Sequence, residues 1–329
     1  MRIALKDNFT HEILNRHKEV RFELWLVQKV RDRQAMKLAI LGNCQAGGLA
    51  DSLELLIPEA EIKSELISND VATLEVELRK HAKSRKVGLI LHDSVQNIID
   101  FHPQLQGILP EETIVIPAIT FAAFHPDIQY GFIDGSVVKN GLDSDWNSRI
   151  LLWAYLNKLK EREARELFRE EVYRELGYLD EWSSSAALLK LGFEKCGFDF
   201  GRWMRSVQRD GVFMYGINHP LPIALSNLAI QIVEREFAEK HQHVDDVHKY
   251  VTDYLAHIVW PVYPEIADEL GVEGTYRWRV GRKYAQLDEF ISLCYESWDS
   301  IKLRKREINL MPAVSERDNV VLLQMSGRD

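Results

Sequence analysis

Apolar residues follow two rhythms along this chain. Between residues 37 and 118, short apolar or β-branched runs recur at 37–42, 61–67, 87–92 and 113–118, and helix-compatible sequence follows each of the first three. Such runs, bounded by turn residues, read as strands buried on both faces. Their alternation with helices predicts an α/β fold built on a parallel, doubly wound sheet with right-handed crossovers. The second rhythm is helical. In residues 11–35, Ile13, His17, Val20, Leu24 and Val27 recur at steps of four and three, which marks one helix face.

Past residue 145 the pattern predicts a long helix over 147–177, a shorter one over 182–196 and a strand over 212–217. Helices over 222–240, 245–260 and 283–300 follow, with a polar tail from Arg304. The chain therefore divides into an N-terminal helical extension (1–35), an α/β domain (36–145) and a helical C-terminal lobe (146–329) with a returning strand that carries His219.

In open parallel sheets, ligands sit beyond the carboxyl ends of the strands. The first such end reads Gly42-Asn43-Cys44-Gln45-Ala46-Gly47-Gly48, a turn that delivers a cysteine to the mouth of a helix. A helix N-terminus lowers a thiol pKa or holds an anion, and Gly42, Gly47 and Gly48 let a ligand approach the backbone. Packing is the competing role for Cys44, since free cysteine is among the most buried residue types. His92-Asp93 ends another strand, and residues 120–127 follow a fourth.

Proline keeps the preceding residue extended, so the histidines of His102-Pro103, His125-Pro126 and His219-Pro220 sit on stiff loop or strand ends. His219 ends an apolar strand and is the candidate general base. His125, with Asp127 two residues on, is the candidate supporting or substrate-contacting pair, because a carboxylate fixes the tautomer of an imidazole and raises its basicity.

These motifs carry a family resemblance. Gly42-Asn43-Cys44-Gln45 after a strand, Phe124-His125-Pro126-Asp127 and Asn218-His219-Pro220, spread over roughly residues 36–236, resemble the WcbI-like polysaccharide-biosynthesis family. The resemblance implies a role in capsule synthesis, coenzyme A binding, acetyl transfer and an α/β fold similar to the SGNH hydrolases, whose nucleophile follows the first strand and whose base is a late histidine. Here Cys44 stands near the place of the serine. Gly216 occupies the position, three residues before the late histidine, where an aspartate is usual. A hydrolytic triad is thereby incomplete, which favours acyl transfer to a sugar or glycan acceptor over transfer to water. A hydrolase of acyl esters or thioesters, or a non-catalytic coenzyme A or glycan-binding protein, remains an alternative.

On this reading the catalytic residues are Cys44, His219, His125 and Asp127. The N–H groups of Asn43 to Gln45 and the Asn43 side chain hold the oxyanion, and acetyl-coenzyme A lies on Gly42, Asn43, Cys44, Gln45 and Gly47.

Composition narrows the picture. A net charge of −9 over 329 residues gives no general attraction to nucleic acid, so a phosphate-bearing ligand needs a local basic cluster. Two are present: Arg202-Trp203-Met204-Arg205, and Tyr276-Arg277-Trp278-Arg279 with Arg282 and Lys283. Arg202, Arg205 and Arg279 are the candidate phosphate contacts. Three widely spaced cysteines form no disulfide framework, which suits a reducing, cytoplasmic setting. The start of the chain has no signal-peptide core. Residues 211–233 lack charge but carry Asn218, His219, Pro220 and Gln231, and read as a buried active-site segment with no transmembrane character. No metal is expected, because His241, His243 and His248 fit no zinc spacing. Gly42 to Leu49 matches neither a Walker A loop nor a dinucleotide fingerprint. The chain leaves room for a homo-oligomer or a partner in a biosynthetic complex.

Overall fold

A computed structural model describes residues 36–67, 70–82 and 87–328. The helix predicted over 11–35 lies outside the described residues. The chain is a mixed α/β structure. Its first part runs β1 (Met36–Gly42), α1 (Ala46–Leu56), β2 (Ala60–Leu66), α2 (Val71–Ala82), β3 (Val87–His92), α3 (Asp93–Phe101) and β4 (Ile114–Ile116). The four strands are parallel in the order β2-β1-β3-β4. Side chains alternate across a strand, so β1 is apolar on both faces for a reason. Leu38 and Ile40 pack with Leu49 and Leu53 of α1, while Ala39 and Leu41 pack with Leu74 and Leu78 of α2 and Val95 and Ile99 of α3. Strand order reverses between β1 and β3, which opens a crevice at their carboxyl ends, beside Gly42 and His92.

β5 (Ile128–Ile133) starts an antiparallel arrangement. It pairs with Asn147–Ser148 and with Asn309–Met311, where Met311 faces Tyr130. The tail past Arg304 is thus no free polar extension, since it adds this strand and a helix, Glu316–Met325.

The predicted long helix over 147–177 is broken into Arg149–Leu156, Glu161–Arg165 and Glu170–Glu175. Lys158 takes a left-handed φ of 60°, and extended backbone at Lys160 and Arg169 interrupts the pieces. Residues 245–260 are also not a helix. Asp246 is left-handed at φ 50°, a short 3-10 turn spans Val247–Lys249 and a strand spans Ile258–Val259. That strand joins Arg277–Val280 and Lys283–Gln286 in an antiparallel sheet, so the helix predicted from 283 begins only at Leu287. The C-terminal part is therefore mixed and not purely helical. The helices Glu181–Lys195 and Pro222–Glu236 form where the pattern places them.

The turn at 141–145 is fixed by close packing. Gly141 donates its N–H to Cys294 Sγ at 3.5 Å, and a Cβ at Gly141 would collide with the Leu293 backbone. Backbone cannot step aside as a flexible side chain would. Gly141→Ala should cost about 1–3 kcal/mol or more and lower the urea midpoint of unfolding; an unchanged midpoint would contradict this packing.

Candidate active site

The crevice between β1 and β3 is built by a glycine that makes room for a histidine. A Cβ at Gly42 would lie 2.6 Å from His92 Nδ1, so the neighbouring imidazole requires glycine here. Asn43 then turns the chain. Its Oδ1 accepts from the Gln45 N–H at 3.0 Å and its carbonyl from the Ala46 N–H at 3.0 Å, which starts α1. The Asn43 N–H points to His92 Nδ1 at 3.4 Å, which leaves the imidazole proton on Nε2. Two of the three N–H groups expected to hold an oxyanion are thus engaged within the loop. The Cys44 N–H faces its own thiol.

Gln45 is buried, and the fold consumes its side chain. Oε1 accepts from the Ile119 N–H at 2.9 Å, while Nε2 donates to the carbonyls of Ile119 at 2.7 Å and Asn218 at 3.0 Å. The expected ligand contact is instead a clamp that draws together the loop after β1, the segment after β4 and the Asn218-His219 segment. Phe121 N–H to Ile217 O, at 2.8 Å, closes the second and third of these on each other.

Around Cys44 this clamp assembles residues far apart in sequence. Tyr130 on β5 joins the Asn218 end of the clamp. Its hydroxyl oxygen accepts from Trp146 Nε1 at 2.8 Å and from Asn218 Nδ2 at 3.4 Å. Trp146 packs edge-on against His219, with ring centroids 4.6 Å apart. The departure at Gly216 has a steric cause, because a Cβ there would run into the Trp146 ring. An aspartate cannot occupy that position while the indole does.

Burial sets the protonation states. The half-buried Cys44 thiol is pushed up from the ordinary thiol range by burial, although its own N–H acts in the opposite direction. Desolvation of a thiolate thus opposes the lowering expected at a helix mouth. Cys196 and Cys294 are pushed up to about 11 and about 12, again by burial. His219 is lowered to about 4, first by burial and then by His257, whose ring lies 5.7 Å away, with a backbone contact at Leu255 opposing. Its Nδ1 is buried with no hydrogen-bond partner among the described residues.

His125 and Asp127 are separated by their partners. The ring nitrogens of His125 face two carbonyls, Pro261 O at 3.3 Å and Met214 O at 3.2 Å. Asp127 is fully buried. Its Oδ1 accepts from the Ile150 N–H and the Tyr178 hydroxyl, both at 3.0 Å, and its Oδ2 from the Tyr263 hydroxyl at 2.7 Å. This carboxylate caps the helix Arg149–Leu156 and gathers two tyrosines, so it cannot steer His125 as expected. Burial raises its pKa against those donors.

Residues 37–237 match the model of a family described as polysaccharide biosynthesis enzyme WcbI. The chain belongs to this family. The matched region runs from β1 through the helix Pro222–Glu236 and includes all three motifs. Comparison with curated proteins and with solved structures gave no significant match.

The WcbI region supplies one of the two basic clusters, and it is turned away. Arg202 forms a two-pronged pair with Glu234, Nη2 to Oε1 at 2.8 Å, about 13 Å along the helix axis from Leu225, which abuts Gly48. Arg205 is exposed on the same helix, Phe200–Val207. The cluster outside the matched region lies closer to His219. Arg279 donates to the Ala256 carbonyl, and the Gly281 N–H donates to His257 O at 2.6 Å, beside the ring that neighbours His219. Between them, residues 250–257 strap the loop: Tyr254 covers Gly47, its hydroxyl donates to Asp51 Oδ1 at 3.2 Å, and the Thr252 N–H donates to Asp51 Oδ2 at 3.1 Å. His92, Tyr130, Trp146 and Tyr254 carry no local signal of a role, although the end of the third strand was legible at His92. No cluster of metal-ligating residues occurs among the described residues.

Three buried imidazoles, His92, His125 and His219, are each held near pKa 4. An unfolded imidazole titrates near about 6.5, so between those values the unfolded chain binds more protons and stability rises with pH. The stabilising contribution is complete above about pH 6.5 and is lost as the pH falls toward 4. Urea midpoints should therefore drop between pH 7.5 and pH 5, and a flat profile would contradict the burial of these rings.

Proposed function

We propose that this polysaccharide-biosynthesis enzyme moves an acyl group, acetyl in the simplest case, from a coenzyme A thioester to a sugar hydroxyl during capsule or other surface-glycan synthesis. The observation that carries this reading is the convergence of the Cys44 loop and His219 at the strand switch point, with Trp146 in the place a hydrolytic aspartate would need. The strand order and the nucleophile-like turn after β1 also agree with the SGNH-like resemblance.

The acceptor oxygen attacks the thioester carbonyl carbon, and its proton passes to neutral His219. The Asn43 side-chain amide stabilises the oxyanion. The intermediate then expels the coenzyme A thiolate, which takes the proton back, and the C–S bond is replaced by a C–O bond. Because burial disfavours the Cys44 thiolate, the direct route is favoured over an acyl-cysteine, with Cys44 lining the thiol site. The residues present suit the coenzyme: Arg279, Arg282 and Lys283 offer charge to its phosphates beside His257, whereas Arg202 is neutralised by Glu234. A cavity of about 470 Å3 beside Asn218, with Thr120, Tyr178, Glu181 and Ser185 on its walls, suits a sugar, which needs apolar faces and hydrogen-bonding edges together. A larger cavity of about 840 Å3 lies at the amino ends of β1 and β3, by Met36 and Gly88, and contains none of the motif residues.

The test pairs acetyl-coenzyme A with sugar acceptors and follows free thiol. Thiol release should depend on the acceptor, and His219→Asn should reduce turnover about 10²–10⁴-fold while coenzyme A still raises the melting temperature. Equal release without acceptor would make water the acceptor and this enzyme a hydrolase. Wild-type turnover in His219→Asn would remove that residue from the chemistry.

A further inference from the structure

We infer that the cavity beside Asn218 takes a sugar that carries an anionic group, a carboxylate or a phosphate, and that Arg149 is the residue that selects it. The inference rests on reading this cavity as the acceptor site of the proposed transfer. Arg149 opens the helix Arg149–Leu156, and its backbone N–H is already engaged with the Asp127 carbonyl at 2.7 Å. Its side chain lines the cavity with 16 % of its surface exposed.

A guanidinium presents its N–H donors in a rigid fork, and burying such donors without acceptors is costly. Among the described residues, Arg149 Nε is buried with no hydrogen-bond partner. The ion pair it makes is one long contact, Nη1 to Asp318 Oδ2 at 3.5 Å. Asp127 also lies near, but its side-chain oxygens are taken by the Ile150 N–H and the hydroxyls of Tyr178 and Tyr263. Arg202 provides the contrast, because its fork is filled by Glu234 and is closed to a ligand. The Arg149 fork has no such two-pronged partner. A planar carboxylate or a phosphate matches that geometry.

The rest of the wall suits a sugar ring. Ser185 Oγ accepts from the Ala122 N–H at 3.2 Å and donates to Glu181 Oε1 at 2.8 Å. Glu181 is thereby held as an acceptor for sugar hydroxyls, and its charge opposes a second anion beside it, which confines the anionic group to the Arg149 end. Phe121, Leu176 and Ile217 supply apolar surface. Asn218, on the same wall, immediately precedes His219 and ties the cavity to the candidate base.

Calorimetric titration tests this without acyl transfer. D-Glucuronate and glucose 1-phosphate probe the carboxylate and the phosphate, and D-glucose is the neutral control. At least one anionic sugar should bind more tightly than D-glucose by about tenfold or more, and Arg149→Gln should weaken that probe about 10–100-fold, the size of a lost charge-assisted hydrogen bond. Affinity for D-glucose should not change. Arg149→Lys keeps the charge facing Asp127 and Asp318 but loses the fork, so its affinity should fall between the two; it decides the matter if Arg149→Gln does not fold.

Binding of neither anionic sugar, binding no tighter than that of D-glucose, or wild-type affinity in a folded Arg149 variant overturns the inference. So does a loss of coenzyme A affinity in Arg149→Gln with the sugars unaffected, which would give the guanidinium to the coenzyme. Acetyl transfer to D-glucose that ignores Arg149 would remove this inference and leave the transfer reading. Arg149-dependent binding of an anionic sugar in a protein that transfers no acetyl group would do the reverse.

Discussion

One buried amide organises the site. Gln45 exchanges a donor and an acceptor with Ile119, as a neighbouring strand would, and gives its second amide proton to Asn218, positions 74 and 173 residues away. The distances suit ordinary hydrogen bonds, and the chemistry leaves no ambiguity about which end is oxygen, because one partner is an N–H and two are carbonyls. A buried amide without these partners would cost about 1–3 kcal/mol for each group left unsatisfied. The Gln45 side chain therefore ties the loop after β1, whose turn Asn43 makes locally, to the other two segments. The cysteine, the wedge of Trp146 and the late histidine occupy one place because this side chain requires it.

The clamp has an electrostatic consequence. Burial around the clamp drives three groups toward their neutral forms: the Cys44 thiol upward, the imidazoles of His92 and His219 downward. A nucleophilic thiolate would find little support in such surroundings. A reaction that begins and ends with neutral groups, and creates charge only in passing, is better matched to them, because fixed donors act more strongly where water cannot compete. The lowered basicity of His219 follows from the same burial.

Much of this was legible in the sequence, and the rest was hidden for identifiable reasons. The first three βα units follow from local apolar runs, and the carboxyl-end placement of Cys44, His92 and residues 120–127 follows from the sheet they build. What local pattern cannot show is who a polar side chain meets. Asp127 lies two residues from His125, yet its partners are a helix N-terminus and tyrosines at 178 and 263. Arg202 is part of a basic-aromatic cluster but is neutralised by Glu234, 32 residues on. The helix expected over 147–177 has suitable composition throughout and is broken by backbone at Lys158 and Arg169 that only tertiary packing selects. The absent aspartate at Gly216 was visible, whereas its cause, the Trp146 ring, was not. Apolar burial is written in periodicity; the pairing of buried polar groups is written only in three dimensions.

The central claim is that Gln45 holds three segments as one site, and amide hydrogen exchange in Gln45→Leu tests it most directly. Leucine fills similar space but makes none of the three bonds. Native-state exchange reports local opening amide by amide. The Ile119 amide, which donates to Gln45, and the Phe121 amide, which donates to Ile217, should lose protection together in the variant, while amides of β2 and α2 keep theirs. Unchanged protection at Ile119 and Phe121 in a folded Gln45→Leu protein would show that the segments are held by packing alone, and would contradict this account of the site.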